Sequence, residues 1–194
     1  MQTKDKIIEV VIEYIKQDID VTQISLSEIA KKADIGKSTV YEYFENKDTL
    51  ICDTYMYLLS YYEQQILNPL SETTFKKAFI EQVRRLLHAM NDAKHLVETI
   101  MSHQKQVNHF NNKLIDKKMN EVSDHLQERF IDIMRLGILE KAVPSGLTKQ
   151  PTRGYVIQAL ISGLSFQYIN KQTQLDEEGI LNLIYDEVLR VLQY

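Results

Sequence analysis

The chain has 194 residues and carries 23 Lys and Arg against 27 Asp and Glu, a formal net charge of −4 at pH 7. Hydrophobic residues make up 44% of the sequence, which excludes a disordered polypeptide, and the lone cysteine, Cys52, excludes an internal disulfide or a cysteine-rich zinc site. Six Gly and three Pro are too few for the turns of an all-β fold, so the composition favours long helices. No apolar run reaches the ~20 residues that cross a bilayer, and no signal peptide is evident, so we expect a cytoplasmic protein.

Three helices are predicted in the first 44 residues. Over residues 3–19, apolar residues recur at spacings of three and four, which is typical of an amphipathic helix. Ser25 and Glu28 form a capping box, in which a hydroxyl and a carboxylate satisfy two backbone N–H groups at the start of a helix. Residues 34–36 predict a turn, and a third, short helix is predicted over residues 37–44.

The rest of the chain is also predicted to be helical. A fourth helix begins near residues 46–48 and ends at about residue 67, before Pro69. Five more helices, for about nine in all and no strand, are predicted over residues 74–90, 96–103, 107–136, 152–170 and 176–192. The fold class is therefore expected to be all-α.

The second and third helices form a short pair joined by a three-residue turn, as in a helix-turn-helix motif. Spacing alone is weak evidence, because any helical bundle contains short helix pairs. The residues are more specific: the run over 29–50, IAKKADIGKSTVYEYFENKDTL, resembles the N-terminal signature of the TetR (tetracycline repressor-like) family. The signature has an Ile-Ala pair, a turn, a Thr-aliphatic-Tyr-x-Tyr/His-Phe helix and a following Lys-Glu/Asp-x-Leu. Two departures are Asp34, where the family usually has Gly, and Gly36, where Ser often caps the third helix.

The resemblance implies an N-terminal helix-turn-helix domain over residues 1–50 that binds double-stranded DNA. It implies an effector-binding and dimerisation domain over residues 51–194. A homodimer presents two recognition helices to two half-sites. The expected function is a ligand-responsive transcriptional regulator, a repressor that an unknown small-molecule effector releases from its operator. No cofactor and no catalytic residue are expected.

The third helix and its neighbours are expected to contact the DNA. The residues that open this helix would face base edges, and the tyrosine hydroxyls and the lysine that follows would reach phosphates. Glu42 has two open readings, since it could accept a hydrogen bond from cytosine or merely repel the DNA backbone. The predicted contacts are Ser25, Lys37, Ser38, Thr39, Tyr41, Tyr43 and Lys47.

The charge of this segment sets a condition on the prediction. Residues 1–50 hold seven Lys, no Arg, five Asp and five Glu, a net charge of −3. Most of the acids must then lie away from the DNA, and the bidentate contact of Arg with guanine is absent. Weaker attraction to the DNA backbone is expected from Lys4, Lys6, Lys31 and Lys32.

Aromatic, Met and His residues in the middle of the chain could line an effector pocket, since pockets between helices are mostly apolar with a few polar groups. Ordinary core packing is the alternative for each of them. The candidates are Tyr55, Tyr61, Tyr62, Phe79, His95, Met101, His103, Phe110 and Phe130.

The last two helices are expected to form a dimer interface as part of a four-helix bundle. Small residues on the first would let a partner helix approach closely, and apolar residues form a stripe along the second; packing within one chain is the alternative. The candidates are Ala159, Ser162, Gly163, Phe166, Ile180, Ile184, Val188 and Val191.

Three other functions remain open at this point. All five histidines lie between His88 and His125, so a metal-responsive regulator is one alternative, although no pair has close ligand spacing and no metal site is expected. A helical adaptor or structural dimer that does not bind DNA is another. An enzyme finds little support, because there is no Gly-rich phosphate loop and no evident nucleophile with its base.

Overall fold

A computed structural model describes residues 3–17, 19–94, 109–145 and 151–193 of the chain, without the side chains of 109–112 and 151. The predicted all-α fold is confirmed, and the ninth predicted helix, over residues 96–103, lies outside the described residues. Within the described ranges no helix is both long and apolar enough to span a membrane. These ranges contain eight helices and no strand: α1 (Thr3–Lys16), α2 (Leu26–Lys32), α3 (Lys37–Tyr43), α4 (Lys47–Leu67), α5 (Phe75–Asp92), α6 (His109–Leu139), α7 (Pro151–Ile169) and α8 (Glu177–Gln193).

Local hydrogen bonds explain where the first helices begin and end. The predicted capping box is present: the backbone N–H of Glu28 donates to Ser25 Oγ at 3.2 Å, and the N–H of Ser25 donates to Glu28 Oε2 at 2.8 Å. The prediction that the first helix continues to residue 19 was wrong, because α1 ends at Lys16. Beyond it, Asp20 Oδ1 accepts from both the N–H and the hydroxyl of Thr22, which favours a turn over a further helical turn.

The turn between α2 and α3 contains a residue in the left-handed region. Asp34 has φ of 56°, and it occupies the position at which the resemblance expects Gly. Asp tolerates this conformation better than most residues do, because its short side chain is polar. The N–H of Ile35 then donates to the carbonyl of Ala30 at 3.0 Å, which closes the end of α2 and directs the chain into α3.

The chain divides into two compact units. Unit 1 comprises Met1–Glu63 and Asp92–Val122, and unit 2 comprises Gln64–Asn91 and Ser123–Tyr194. The long helix α4 begins in unit 1 and its last turn belongs to unit 2. These are units of packing, whereas the predicted boundary at residue 50 separates functions, and that boundary stays a prediction.

Each unit has its own apolar core. In unit 1, α1, α2, α3 and the first half of α4 contribute fully buried side chains, among them Ile7, Val11, Ile29, Val40, Phe44 and Leu50. In unit 2, an aromatic group forms the centre: the ring of Tyr185 lies 5.9 Å from that of Phe75 and 5.7 Å from that of Phe79. Because unit 1 buries so much of α1, α2 and α4 against α3, the short α3 is held firmly although it has only two turns.

Side chains of unit 2 hold the C-terminal end of α4. Gln82 of α5 donates from Nε2 to the carbonyl of Ile66 at 3.2 Å. Arg129 of α6 donates to the carbonyls of Leu67 and Asn68 at 2.6 and 3.0 Å. Arg85 of α5 adds bonds to the carbonyls of residues 68 and 69. We call Gln82, Arg85 and Arg129 the α4 clamp. They satisfy carbonyls that a helix end leaves without partners, and the two guanidinium groups favour the negative end of the helix dipole.

Candidate nucleic-acid interface

The helix α3 packs against the core of unit 1 along one side. Val40 and, directly after the helix, Phe44 are both 0% exposed, and both belong to the core of unit 1. The remaining residues of the helix are exposed or half-buried. One narrow apolar edge therefore anchors the helix, and the rest of its circumference is presented to the surroundings.

The exposed side chains of α3 fall into three rows. An α-helix turns about 100° per residue, so residues four apart lie above one another, and residues two apart lie nearly opposite. Ser38 and Glu42 each lie two positions from the buried Val40, and they form the centre row, farthest from the core. One flanking row is Lys37 with Tyr41, and the other is Thr39 with Tyr43.

The two tyrosines are the largest exposed groups of this surface. Tyr41 is 50% exposed and Tyr43 is 44% exposed, so each ring is partly packed while its hydroxyl end remains accessible. The ammonium group of Lys37 lies 5.9 Å from the centre of the Tyr41 ring, close enough for a cation–π interaction. The first flanking row thus carries a cation and a phenol together, and the second carries two hydroxyl groups.

The start of α3 agrees with the sequence interpretation. Gly36 is the N-cap residue, with φ of −69° and ψ of 145°, and no side chain caps the helix. Its carbonyl accepts from the N–H of Thr39 at 3.0 Å. The hydroxyls of Ser38 and Thr39 are therefore not engaged in capping the first turn, and they are available to a partner molecule.

The side chains of Ser25 and Lys47 both lie near the start of α2, and neither residue belongs to α3. Lys47 donates from Nζ to the carbonyl of Thr22. The pKa of Glu28 is lowered, first by the backbone hydrogen bond from Ser25, then by the Ser25 hydroxyl, and to a smaller extent by the charge of Lys47. Both predicted phosphate contacts thus also have structural roles, because Ser25 caps α2 and Lys47 ties the start of α4 to the loop between α1 and α2.

Two of the four lysines expected to attract the DNA backbone weakly are used within unit 1. Lys4 pairs with Asp53 at 2.8 Å. Lys32 pairs with Glu13 at 3.1 Å and lies 4.0 Å from the centre of the Tyr14 ring. Lys6 and Lys31 are exposed. The positive charge near α3 is therefore smaller than the count of lysines suggests.

The predicted effector residues do not form a single described lining. Tyr55 is buried in the core of unit 1, Tyr62 packs against the same core, and Tyr61 is exposed with its ring 5.4 Å from that of Tyr62. Phe79 and Phe130 contact each other in unit 2, with ring centres 6.0 Å apart. The other four candidates fall outside the description: His95, Met101, His103 and the side chain of Phe110.

Unit 2 also contains a cleft, which lies apart from the predicted effector residues. Its volume is about 380 Å³, and none of the predicted effector residues lines it. Its described lining consists of Ile138, Lys141, Ala142, Val143, Pro144, Ser145 and Gln193. Among the described residues, two buried side-chain oxygens of unit 2 have no hydrogen-bond partner: Ser165 Oγ, and the Oε1 atom of Gln82, whose Nε2 atom belongs to the α4 clamp.

The predicted dimer residues divide into two sets. Ile180, Ile184 and Val188 are 0–1% exposed in the core of unit 2, so these three were wrongly placed at an interface: the apolar stripe of α8 packs inside its own chain, and Val191 is half-buried. Ala159, Ser162, Gly163 and Phe166 are all exposed on α7.

The exposed side of α7 is apolar, and sequence reasoning missed part of it. Tyr155 is 73% exposed, and Val156 and Phe166 are also exposed on the side of α7 that lies opposite the buried Ile161. A Cβ added at Gly163 would meet nothing within 4 Å in the described part of the chain. The spacing of Tyr155, Ala159 and Phe166 at four and seven residues is the signal that could have identified this side. We call Tyr155, Val156, Ala159, Ser162, Gly163 and Phe166 the α7 face.

The histidine alternative receives no support from the described residues. Within these ranges, no three His, Cys, Asp or Glu side chains are grouped so that they could hold a metal ion. His88 instead lies 3.0 Å from Glu177, as part of a contact between α5 and α8. The side chains of His95, His103 and His109 lie outside the description.

The sequence of this region is similar to that of known proteins. Residues 19–52, which include α2, α3 and the start of α4, match the family model described as bacterial regulatory proteins, tetR family. The chain is 26% identical over 161 residues to YhgD of Bacillus subtilis, described as an uncharacterized HTH-type transcriptional regulator. That match covers 80% of this chain and 79% of the relative.

Solved structures share the fold over nearly the whole chain. A TetR-family regulator from Mesorhizobium loti is similar with a TM-score of 0.65 and 16% identity, and the match covers 98% of this chain and 95% of that one. The regulator FadR of Bacillus subtilis, solved in complex with stearoyl-CoA, is similar with a TM-score of 0.54 and 20% identity, and the match covers 96% of both chains.

Proposed function

Because the chain belongs to the tetR family of bacterial regulatory proteins and is a DNA-binding transcriptional regulator, we propose that it is a homodimeric repressor whose α3 reads an operator, and that a small-molecule effector releases it. The observation that carries this proposal is the three-row exposed surface of α3. A short helix anchored along one edge can enter a major groove, which is about 12 Å wide. Such a protein acts where the DNA is, in the cytoplasm.

The rows of α3 suit the parts of a major groove. The centre row, Ser38 and Glu42, would face the base edges on the groove floor. The flanking rows would face the two phosphate backbones, with the hydroxyl groups of Tyr41 and Tyr43 and the ammonium group of Lys37 as donors. Ser25 and Lys47 would add a second phosphate contact at the start of α2. Phosphate contacts fix position, whereas the centre row supplies sequence information.

The α7 face supports the homodimer. Monomeric proteins rarely leave several large apolar side chains together in water, and such a patch marks an interaction surface. A second copy is the partner that DNA recognition requires, since two half-sites are read by a symmetric pair. Gly163 costs helix stability without any packing need in its own chain, and a closely approaching helix of a partner would use the free space.

The α4 clamp supports the effector response. The side chains that hold the end of α4 lie on α5 and α6, so a ligand that displaces either helix would move α4, and α4 begins directly after α3. FadR, of similar fold, is solved with stearoyl-CoA, which supports an effector for this chain without fixing its chemical class. The effector must bind the two states of the protein with different affinity.

Binding to the DNA that flanks the protein's own gene tests the proposal. The expected result is a saturable complex in a fluorescence-anisotropy titration, with an affinity that falls as salt rises because lysine contacts release counterions from the DNA. Lys37→Ala is expected to weaken binding about tenfold, while Lys117→Ala, which removes another exposed lysine, on α6, is not. Equal binding by both variants, or none by the native protein, would contradict the proposal. The last result would favour a helical adaptor.

A further inference from the structure

Glu42 is the only acidic residue on α3, and its place is unexpected for a helix that approaches DNA. It is exposed, and within the described part of the chain it makes neither a hydrogen bond nor an ion pair. No internal contact therefore explains the carboxylate. Each DNA strand carries a negative charge on every phosphate, so an acid at the rim of the groove would weaken binding.

The geometry of α3 places Glu42 away from the rim. It belongs with Ser38 to the centre row, about 160° around the helix from the buried Val40. In the proposed docking, the flanking rows, which carry Lys37 and the tyrosine hydroxyls, would stand between it and the two phosphate backbones. A carboxylate in the centre row would then be as far from both backbones as the helix allows, and it would face the base edges.

We propose that Glu42 is a specificity-determining residue that reads one cytosine in each half-site, by accepting a hydrogen bond from the cytosine N4 amine. This inference rests on the proposed function. An ionised carboxylate only accepts hydrogen bonds, so it opposes the acceptors that guanine and thymine present in the major groove. Adenine also has an amine there, but the acceptor N7 lies beside it, whereas the N4 amine of cytosine has no acceptor on the same base edge.

The neighbouring side chains leave this choice to Glu42. Ser38, the other member of the centre row, carries a hydroxyl that both donates and accepts, so it discriminates weakly among bases. The first 50 residues contain no Arg, so the common bidentate reading of guanine is absent. Glu42 is thus the member of the centre row that imposes a single hydrogen-bond polarity on the base that it meets.

A base-substitution series on the native operator tests the inference. The operator is first obtained by selection of random duplexes with the full-length wild-type protein, and each base pair of a half-site is then replaced in turn. For the wild type, replacement of one C·G pair, at the same position in each half-site, is expected to lower the affinity about tenfold per half-site. For Glu42→Ala, that cost is expected to fall below about twofold, while the other positions keep theirs.

Two further variants sharpen the test. Glu42→Gln, which keeps the shape and adds donors, is expected to shift the preference at the same position toward adenine, the base that an amide pairs with. Glu45→Ala removes an equal charge from an exposed residue just beyond α3, and it is expected to keep the cytosine preference. Circular dichroism is measured for each variant, and a helical content equal to that of the wild type shows that the fold is intact.

The outcomes are distinguishable. A wild type that enriches no sequence would overturn the proposed function and this inference with it. A wild type that enriches an operator, while Glu42→Ala keeps every base preference, would overturn the inference alone. A uniform rise in affinity for all duplexes on loss of Glu42, with no change in preference, would mean that the carboxylate only repels DNA, and this too would overturn the inference.

Discussion

The exposed sides of α3 and α7 both carry large side chains in water, but their chemistry differs. On α3 the exposed aromatic rings are tyrosines beside lysine, serine and glutamate, so every row ends in polar atoms. On α7 the exposed groups are Tyr155, Val156 and Phe166, with small residues between them. The first surface suits a charged, hydrated partner and the second suits an apolar one. Exposure alone therefore does not define an interface, whereas the polar atoms at the ends of the side chains indicate what it can bind.

The largest effect is expected from an acid placed on the α7 face. Phe166→Glu would bury a charge in the proposed dimer contact, which is costly without a partner. The variant is expected to sediment as a monomer and to bind operator at least about 100-fold more weakly, since one recognition helix then reads alone. Met119→Glu, at a similarly exposed apolar residue of unit 1, is the control. A dimeric Phe166→Glu protein in analytical ultracentrifugation would refute the assignment of the α7 face.

Removal of single hydroxyl groups compares the role of an exposed tyrosine of α3 in operator binding with that of a buried tyrosine. Tyr43→Phe is expected to weaken operator binding about fivefold, because it deletes one phosphate hydrogen bond while keeping the ring. Tyr55→Phe in the core of unit 1 is the matched control. Its hydroxyl is buried and has no hydrogen-bond partner among the residues that the structure describes, and burial raises the pKa of Tyr55 to about 12.

The control also has an expected effect of its own. Tyr55→Phe is expected to leave operator affinity unchanged and to raise the free energy of unfolding in urea by up to about 1 kcal/mol, because an unsatisfied buried hydroxyl is removed. If Tyr43→Phe bound like the wild type while Tyr55→Phe bound less well, the α3 surface would not be the binding surface.

The α4 clamp holds the last turn of α4 within unit 2. Arg129→Ala removes donors to the carbonyls of Leu67 and Asn68, so the end of α4 is held less firmly. Operator affinity is expected to fall a few-fold, because a less fixed helix must be ordered on binding. Arg135→Ala, on the same helix but paired with Asp132 three residues away, is expected to have no such effect. Identical titration curves for these two variants would indicate that the clamp plays no part in positioning α3.

The smallest effect is expected at the turn before α3. Asp34→Gly relieves the strain of a left-handed residue but adds flexibility to the unfolded chain, so the net gain in stability is expected to be under about 1 kcal/mol. Asp34→Asn removes the charge and retains tolerance of positive φ, and it is expected to match the wild type. A loss of stability on Asp34→Gly in urea titrations would contradict the strain explanation.

Much of the fold could be predicted from local signals. The capping box at Ser25 and Glu28 fixed the start of α2, and periodic apolar residues predicted the helices within a few residues of their observed ends. The end of α1 was missed because the hydrogen bonds of Asp20 to Thr22 compete with a further helical turn. The polar and aromatic residues of α3 were identified by resemblance, and their exposure agrees with it.

The remaining features depend on which way each side of a helix faces, and a sequence pattern does not contain that information. An apolar stripe such as that of Ile180 and Ile184 looks the same whether it packs within one chain or against a partner. The helix α7 has apolar residues on both sides, so its periodicity did not show that the side with Ile161 packs into the core of unit 2. Likewise, the sequence left both readings of Glu42 open, and the buried edge of α3, which places Glu42 on the side away from Val40, is the observation that supports the proposed one.

Cleavage of DNA from a probe on α3 tests the central claim most directly. Ser38→Cys, carrying an iron chelate on its thiol, would place the cutting centre in the centre row, and the buried Cys52 of the unmodified chain supplies the background. The account predicts two groups of cuts on operator DNA, related by two-fold symmetry and separated by one helical turn, about 34–36 Å, or by a multiple of it. Cuts spread evenly along the duplex, or none above the background, would contradict the placement of α3 in the major groove.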